Sequence, residues 1–261
     1  MEFYTIDGVR IAVSLYGDKG VPLLVLHGWG SSSEGWQDVA QLLSQQGYRV
    51  IVPDLPGFGL SPEPPRDWSL TEYVALVRNL VVSLDIPRAV LVGHSFGGRV
   101  AIEYASLYQD SLDVLILCGA AGIQRHRKKR VRIFFIISKA GNRIFSIPFL
   151  SRFREYCRKG LYALIGVKDY YTASETMRVV MSRVIEKPLQ HYLRQITIPV
   201  LLLWGDKDSA TPLKDARLAD TLLANSTLIV CKDKGHSLQR ECPALLAEHI
   251  TTFLHKKPLS L

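Results

Sequence analysis

A serine, a histidine and two aspartates stand in sequence contexts that suit nucleophilic catalysis. Ser95 lies in "VLVGHSFGGRV", where an apolar run ends on a Gly-x-Ser-x-Gly pattern and a helix-like sequence follows. A serine on such a tight strand-to-helix turn is presented as a nucleophile, and the flanking glycines leave room for the turn. The serine hydroxyl is a weak nucleophile at neutral pH, so it needs a base to accept its proton and an acid to orient that base. We therefore look for a histidine and a carboxylate elsewhere in the chain.

Both groups follow apolar, strand-like runs near the C-terminus. His236 lies in "KDKGHSLQREC", and "LLLWGDKDSATP" contains two carboxylates, Asp206 and Asp208. The ends of parallel strands meet at one edge of a sheet, so residues directly after such runs come together there. The chain order of serine, aspartate and histidine is the order expected for a triad on this type of sheet.

The elements that must position these residues are visible as short apolar runs alternating with amphipathic stretches. This alternation predicts strands joined by crossover helices in a mostly parallel sheet. Eight strands are predicted: 2–6, 9–15, 22–26, 49–53, 89–93, 112–117, 200–204 and 227–231. Five helices are predicted: 35–46, 70–84, 96–107, 212–223 and 243–254. Gly8 suits a tight hairpin between the first two strands, and the spacing of Ser31 and Glu34 predicts a capping box before the first helix.

The strand rhythm stops after "CGAAG" and returns at "ITIPVLLLWG". We predict a core domain formed by residues 1–121 and 198–261, with a basic helical cap inserted at 122–197. The insertion contains 17 Lys and Arg against 4 Asp and Glu, whereas the rest of the chain contains 15 against 20. The net charge of +8 is therefore a property of the insertion, and the core is mildly acidic.

Five motifs in a fixed order make the chain resemble the α/β-hydrolase fold family, and within it the small capped serine hydrolases such as carboxylesterases and monoacylglycerol lipases. They are "LLVLHGWGSSSEGW", "VPDLPGFGLSPEP", "LVGHSFGGRVAIEYA", "IPVLLLWGDKDSATP" and "DKGHSLQRECP". The resemblance implies an α/β fold with an eight-stranded, mostly parallel sheet flanked by helices and an inserted helical cap. It also implies an ester hydrolase that acts through an acyl-enzyme.

The resemblance assigns a role to each candidate residue. Ser95 is the nucleophile, His236 the base and Asp208 the acid, because the acid usually occupies the last position of Trp-Gly-x-x-Asp. Asp206 is then expected to be a turn residue. The oxyanion donors are the backbone N–H groups of Trp29 and Phe96.

Three other polar residues are expected to have structural roles. His27 and His94 should orient the oxyanion loop and the serine turn through hydrogen bonds. Asp54 should fix the loop that follows its strand.

The nucleophile narrows the chemistry that the resemblance allows. A serine at position 95 separates the chain from relatives that use aspartate there, such as dehalogenases and epoxide hydrolases. Hydrolases of carbon–carbon bonds in ring-fission products typically have a tryptophan after the catalytic Gly-His, where this chain has Ser237. Two alternatives to the esterase stay open: that carbon–carbon hydrolase, and a ligand receptor with slow turnover. No cofactor or metal is expected, because the histidines and the four scattered cysteines lack metal-ligand spacing.

The basic segment of the insertion, "QRHRKKRVRIFFIISKAGNRIFSIPFLSRFREY", has three interpretations: a solvated cap face, contact with an anionic membrane, or recognition of an anionic substrate or partner. Nucleic acid is not an expected partner, because no nucleic-acid-binding motif accompanies the charge. The expected partner is a small ester. The N-terminus alternates apolar and polar residues without a signal-peptide pattern, which predicts a cytoplasmic protein.

Overall fold

An eight-stranded sheet organises the residues that the computed structural model describes, which are 1–124, 173–257 and 259. The strands are β1 (Glu2–Ile6), β2 (Val9–Tyr16), β3 (Pro22–Leu26), β4 (Arg49–Pro53), β5 (Ala89–His94), β6 (Leu112–Cys118), β7 (Val200–Gly205) and β8 (Ser226–Cys231). Their order across the sheet is β1-β2-β4-β3-β5-β6-β7-β8. The pairs β1–β2 and β2–β4 are antiparallel, and all other pairs are parallel. The predicted eight-stranded, mostly parallel sheet is confirmed.

The helices in the described residues follow the predicted alternation. They are α1 (Gln37–Gln45), α2 (Leu70–Ser83), α3 (Phe96–Tyr108), α4 (Glu175–Glu186), α5 (Gln190–Leu193), α6 (Leu213–Leu222), α7 (Leu238–Glu241) and α8 (Pro243–Leu254). Helices α1 and α8 pack together over one face of the sheet. Helix α3 packs on β5 and β6, and α2 packs against α3. Strands β5, β6 and β7 are buried along their whole length, which explains their largely apolar sequences.

Two local predictions had different outcomes. The turn between β1 and β2 has positive φ at Asp7 and Gly8, as the hairpin prediction required. The capping box predicted at Ser31 and Glu34 was wrong. Ser31 donates its N–H to the Gly28 carbonyl instead, and residues Ser33–Trp36 form a 3₁₀ turn before α1. A capping box is found at α2, where Ser69 donates its N–H to the Glu72 carboxylate.

Two cations fix the end of α4 to α3. The Nη2 of Arg99 donates to the carbonyl oxygens of Val184 at 2.6 Å and Lys187 at 2.7 Å. The Nζ of Lys187 lies 2.6 Å from Oε1 of Glu103, a residue that is only 1% exposed. A cation at a helix C-terminus interacts favourably with the helix dipole, so the Arg99 contact stabilises this end of α4.

Contacts divide the chain into two compact units, residues 1–124 with 179–261 and residues 125–178. Most of the predicted insertion at 122–197, including its basic and aromatic segment, lies outside the described residues, so its helical character and boundaries stay predictions. The first unit includes residues 179–197, which the prediction placed in the insertion. No helix among the described residues is long and apolar enough to cross a membrane.

Candidate active site

Ser95 occupies the sharp turn between β5 and α3 that its sequence predicted. Its backbone has φ 50° and ψ −110°, a conformation that non-glycine residues adopt at a cost of about 1–3 kcal/mol. Two backbone hydrogen bonds hold this strained turn: the N–H of Ser95 donates to the Cys118 carbonyl at 3.2 Å, and the N–H of Ala121 donates to the Ser95 carbonyl at 3.0 Å. Ser95 is half-buried and sits at the N-terminus of α3.

Asp208 and His236 form a hydrogen-bonded pair at the same edge of the sheet. Asp208 follows β7 and His236 follows β8, and the Nδ1 of His236 lies 2.8 Å from Oδ2 of Asp208. The Asp208 side chain is fully buried, whereas the His236 side chain is 25% exposed. This arrangement fixes one ring nitrogen of His236 and leaves Nε2 available for chemistry.

The Asp208 carboxylate is held in its charged form. Its Oδ1 accepts hydrogen bonds from the N–H groups of Ala210 and Thr211, each at 2.8 Å. Burial raises the pKa of Asp208, but the hydrogen bond and charge of His236, together with the donors from Thr211, outweigh burial and bring the pKa below its ordinary value. A charged Asp208 can orient the His236 ring and stabilise its protonated form.

Thr211 is a member of this site that the sequence analysis did not single out. Its side-chain Oγ1 lies 2.8 Å from Oδ2 of Asp208, 3.1 Å from the carbonyl oxygen of Gly119 and 3.3 Å from Nδ1 of His236. The only sequence signal was a hydroxyl residue three positions after an aspartate, a spacing that also occurs in ordinary turns.

His94 connects the serine turn to the loop that carries His236. Its Nε2 lies 3.0 Å from the His236 carbonyl oxygen, and the two rings have centroids 4.9 Å apart. Burial, and next the neighbouring His236, lower the pKa of His94 to about 3, so His94 is neutral. A neutral ring that bonds a carbonyl oxygen must have its proton on that nitrogen, so Nε2 is the donor. This contact is of the orienting kind that we expected of His94.

The loop with the predicted oxyanion donor Trp29 approaches Ser95 closely. A Cβ atom added to Gly28 would lie 2.8 Å from Nδ1 of His94 and 3.3 Å from Cβ of Ser95, so only glycine allows this approach. The rings of Trp29 and Phe96 meet edge to face with centroids 5.4 Å apart. The residues that carry the two predicted donors are therefore in contact with each other, Trp29 in the loop that approaches Ser95 and Phe96 at the first residue of α3.

Buried hydrogen bonds hold this loop in place. The Nδ1 of His27 lies 2.8 Å from the Gly28 carbonyl oxygen, and its Nε2 accepts from the Leu55 N–H at 2.9 Å. Asp54 accepts from the N–H groups of Ser33 at 2.6 Å and Leu60 at 2.8 Å. Asp206, in contrast, is exposed and bonds through its N–H to the Cys231 carbonyl. These contacts match the structural roles expected of His27, Asp54 and Asp206.

Comparisons with known proteins show that the chain is similar to alpha/beta hydrolases. The model of the alpha/beta hydrolase family matches residues 23–249. The uncharacterized hydrolase YugF of Bacillus subtilis is 30% identical over 271 residues, with 96% of each chain covered. An uncharacterized protein of Mycobacterium tuberculosis is 29% identical over 282 residues, covering 97% of this chain and 81% of that protein.

Solved structures resemble the whole chain. A membrane phospholipase A, described as a bacterial virulence factor, has a TM-score of 0.78 at 24% identity, covering 98% of this chain and 85% of its own. An esterase from Exiguobacterium antarcticum has a TM-score of 0.76 at 22% identity, with 97% and 98% covered. A meta-cleavage product hydrolase from Pseudomonas fluorescens IP01 has a TM-score of 0.75 at 23% identity, with 98% of each chain covered. At these identities the similarity concerns the fold.

Proposed function

Because the chain belongs to the alpha/beta hydrolase family, we propose that it is a serine hydrolase that cleaves carboxylic esters. The fold class predicted from the motifs, an α/β-hydrolase fold, is confirmed by the family match and by the similar structures. The observation that carries the proposal is the 2.8 Å hydrogen bond between Asp208 and His236, at the same edge of the sheet as a serine in a strained strand-to-helix turn. A base oriented by a buried carboxylate is what a serine nucleophile requires.

In the proposed reaction, the Ser95 hydroxyl oxygen attacks the ester carbonyl carbon while His236 Nε2 accepts the hydroxyl proton. The carbonyl electron pair moves onto its oxygen, and the backbone N–H groups of Trp29 and Phe96 stabilise the resulting oxyanion. When the carbonyl re-forms, the bond to the alcohol oxygen breaks and His236 returns its proton to that oxygen. Water, deprotonated by His236, then attacks the acyl-enzyme and releases the acid and Ser95.

Asp208 supports both steps without giving up its charge. The hydrogen bond from His236 Nδ1 fixes the ring so that Nε2 faces the reaction, and the negative charge stabilises the imidazolium that forms twice per cycle. His94 holds the backbone of His236, which keeps the ring in register with the turn that carries Ser95.

The proposal is tested with a series of p-nitrophenyl esters from acetate to laurate, assayed with the wild type and with Ser95→Ala. We expect multiple turnovers in the wild type and a loss of several orders of magnitude in kcat for Ser95→Ala, because the variant lacks the nucleophile. Ser106→Ala is the matched control. Ser106 lies on α3, and within the described part of the chain its hydroxyl bonds only to the Glu103 carbonyl. The control should retain the wild-type rate.

The same assay separates the esterase from its alternatives. If Ser95→Ala retains most of the rate, the proposed mechanism is wrong. If the wild type turns over no ester, the ester proposal itself is wrong. The meta-cleavage product hydrolase of similar fold then suggests ring-fission products as the next substrates to assay. A receptor would instead bind a ligand tightly, detected by thermal shift, with fewer than a few turnovers.

We also propose that the insertion at 122–197 selects the acyl group and that the protein acts in the cytoplasm, which cell fractionation would test. Contact of the insertion with an anionic membrane is a separate proposal. Two basic residues of the insertion that lie after its basic segment have acidic partners. Lys187 pairs with Glu103, and Arg183 bonds Asp67. If the remaining positive charge binds membranes, co-sedimentation should increase when vesicles of neutral lipid are given anionic lipid. Equal sedimentation with both vesicles would contradict membrane contact.

A further inference from the structure

We infer that Thr211 is a positioning residue of this site: its hydroxyl shares the Asp208 carboxylate with His236 and limits how strongly that carboxylate holds the protonated ring. The inference rests on the proposed function, because it assumes that His236 must gain and lose a proton during each cycle. Thr211 would touch neither substrate nor reacting atoms in this role.

The Asp208 carboxylate has a full set of hydrogen-bond donors. Its Oδ1 accepts from two backbone N–H groups, those of Ala210 and Thr211. Its Oδ2 accepts from His236 Nδ1 and from the Thr211 hydroxyl, both at 2.8 Å. A carboxylate has about four lone-pair positions, so all of them are used here. The carboxylate is thus held in one orientation, and Thr211 supplies two of the four donors.

The Thr211 hydroxyl has a single proton to donate. Two acceptors are within reach, Oδ2 of Asp208 at 2.8 Å and the carbonyl oxygen of Gly119 at 3.1 Å. The shorter contact ends on a charged oxygen, and hydrogen bonds to ionised acceptors are the shorter and stronger ones. We therefore assign the proton to the bond with Asp208.

The Thr211 hydroxyl affects how strongly Asp208 attracts the proton on the His236 ring. A donor that stabilises the charged carboxylate reduces its attraction for the proton on the imidazole ring. Without the hydroxyl, Oδ2 would have His236 as its only side-chain donor and would hold the imidazolium more strongly. The ring would then stay protonated to a higher pH and would be a poorer base near neutrality.

Among the described residues, the other titratable and charged groups around His236 are the same in the proteins to be compared. They are Asp208 at the end of β7, His94 at the end of β5, Glu241 on α7 and Lys234 in the same loop. His94 is neutral, with its pKa lowered to about 3. Glu241 accepts from the N–H groups of Gly235 and Ser237. A difference between variants at position 211 therefore reports on the hydroxyl.

The experiment compares Thr211→Val, which replaces the hydroxyl with a methyl group, with Thr211→Ser, which keeps the hydroxyl. The first readout needs no substrate: NMR follows the pH at which the His236 ring protonates in the free protein. For Thr211→Val we expect this midpoint to move up by about 0.5 to 1 pH unit, and for Thr211→Ser we expect it to stay at the wild-type pH.

The second readout is the pH dependence of p-nitrophenyl acetate hydrolysis. For Thr211→Val we expect the acidic limb of kcat/KM to move up with the NMR midpoint, and kcat to fall about 10-fold with KM little changed. Thr211→Ser should restore both. A folded Thr211→Val protein with an unchanged or lowered midpoint would overturn the inference.

The role of Thr211 can be tested even if one variant is unfolded or the wild type hydrolyses no ester. If the circular dichroism spectrum shows that Thr211→Val is unfolded, Thr211→Ala takes its place, because alanine removes the hydroxyl without placing a methyl group against the carboxylate. We expect the same shift of the His236 midpoint in Thr211→Ala. If the wild type hydrolyses no ester, the proposed function fails, while the NMR comparison still decides the role of Thr211.

Discussion

Replacing Lys187 with methionine should destabilise the fold by leaving a buried carboxylate without its cation. Glu103 is 1% exposed, and its Oε1 accepts from Lys187 Nζ at 2.6 Å and from the Thr71 hydroxyl at 3.1 Å. Methionine keeps most of the length and apolar stem of lysine, so the main change is the lost charge. The prediction therefore isolates the ion pair that joins the end of α4 to α3.

The structure sets the size of the effect. Breaking a fully buried ion pair by removing one partner costs about 3–5 kcal/mol. The Lys187 side chain is 31% exposed, so water screens the pair, and Thr71 still donates to Glu103 in the variant. We therefore expect a loss of about 2–3 kcal/mol in the free energy of unfolding. For a chain of this length that corresponds to a fall in Tm of roughly 5–10 °C.

The pH dependence carries a definite sign. Burial lowers the pKa of Lys187, but its hydrogen bond to Glu103 raises it, and the net pKa lies above the ordinary value of 10.5. A base whose pKa is raised by folding contributes its full stabilisation below the unfolded pKa and loses it as the pH rises through the folded pKa. The difference between wild type and Lys187→Met should be constant from pH 7 to 9 and should narrow above pH 10.5.

The assay is a double-mutant cycle by urea unfolding with Lys187→Met, Glu103→Gln and the double variant. Glutamine removes the buried charge, so the double variant should recover part of the loss, with a coupling of about 1 kcal/mol or more between the two sites. A coupling near zero, or a loss below about 0.5 kcal/mol for Lys187→Met, would refute the reasoning that Glu103 depends on this cation.

Two further variants test other parts of the structure. Gly28→Ala should lower kcat for p-nitrophenyl acetate by about 100-fold, because its Cβ would push the Trp29 loop away from His94 and displace the proposed oxyanion donor. A near wild-type rate would contradict the role proposed for this loop. Ser69→Ala should lower the free energy of unfolding by about 1 kcal/mol through loss of the α2 cap. Ser31→Ala is its matched control and should change the free energy of unfolding little, since Ser31 caps no helix. An equal loss of stability in the two variants would support the cap predicted at Ser31.

The strands were predictable because their surroundings are uniform. Strands β5 and β7 are covered on both faces, so almost every position is apolar and the run itself marks the strand. All eight predicted strands are found, each within one residue of its predicted bounds. Helix α8 is found with its predicted bounds, helped by Pro243 at its first turn.

The capping box predicted at Ser31 and Glu34 failed because two backbone amides of this segment are bonded to other acceptors, one near in sequence and one distant. The Ser31 and Glu34 spacing is that of a capping box, but Asp54 takes the N–H of Ser33 and Gly28 takes the N–H of Ser31. Once these amides are bonded elsewhere, the box cannot form, and the chain makes a 3₁₀ turn instead. Asp54 follows Ser33 by 21 residues, so it lies outside the window that a capping pattern covers.

The sequence predicted that the proposed catalytic residues share one edge of the sheet, but it did not predict which residues contact them. Ser95, Asp208 and His236 each follow a strand, so the sheet brings them to one edge regardless of side-chain detail. Thr211 and Lys187 could not be predicted in the same way. Whether a hydroxyl or an ammonium finds a carboxylate depends on side-chain directions, and Glu103 precedes Lys187 by 84 residues.

Helix α3 connects the two kinds of contact. Its N-terminus presents Ser95 and the Phe96 N–H, while Arg99 and Glu103, on the next two turns, bind the end of α4. Arg99 lies about 6 Å along the helix from Ser95, so a shift of the anchor large enough to move α3 would also move the serine turn. That turn, however, is held independently by the bonds of Ser95 to Cys118 and Ala121. We therefore expect Lys187→Met to lower Tm while kcat stays within about 2-fold of wild type, because the stability of the fold and the position of Ser95 depend on different bonds of the same helix.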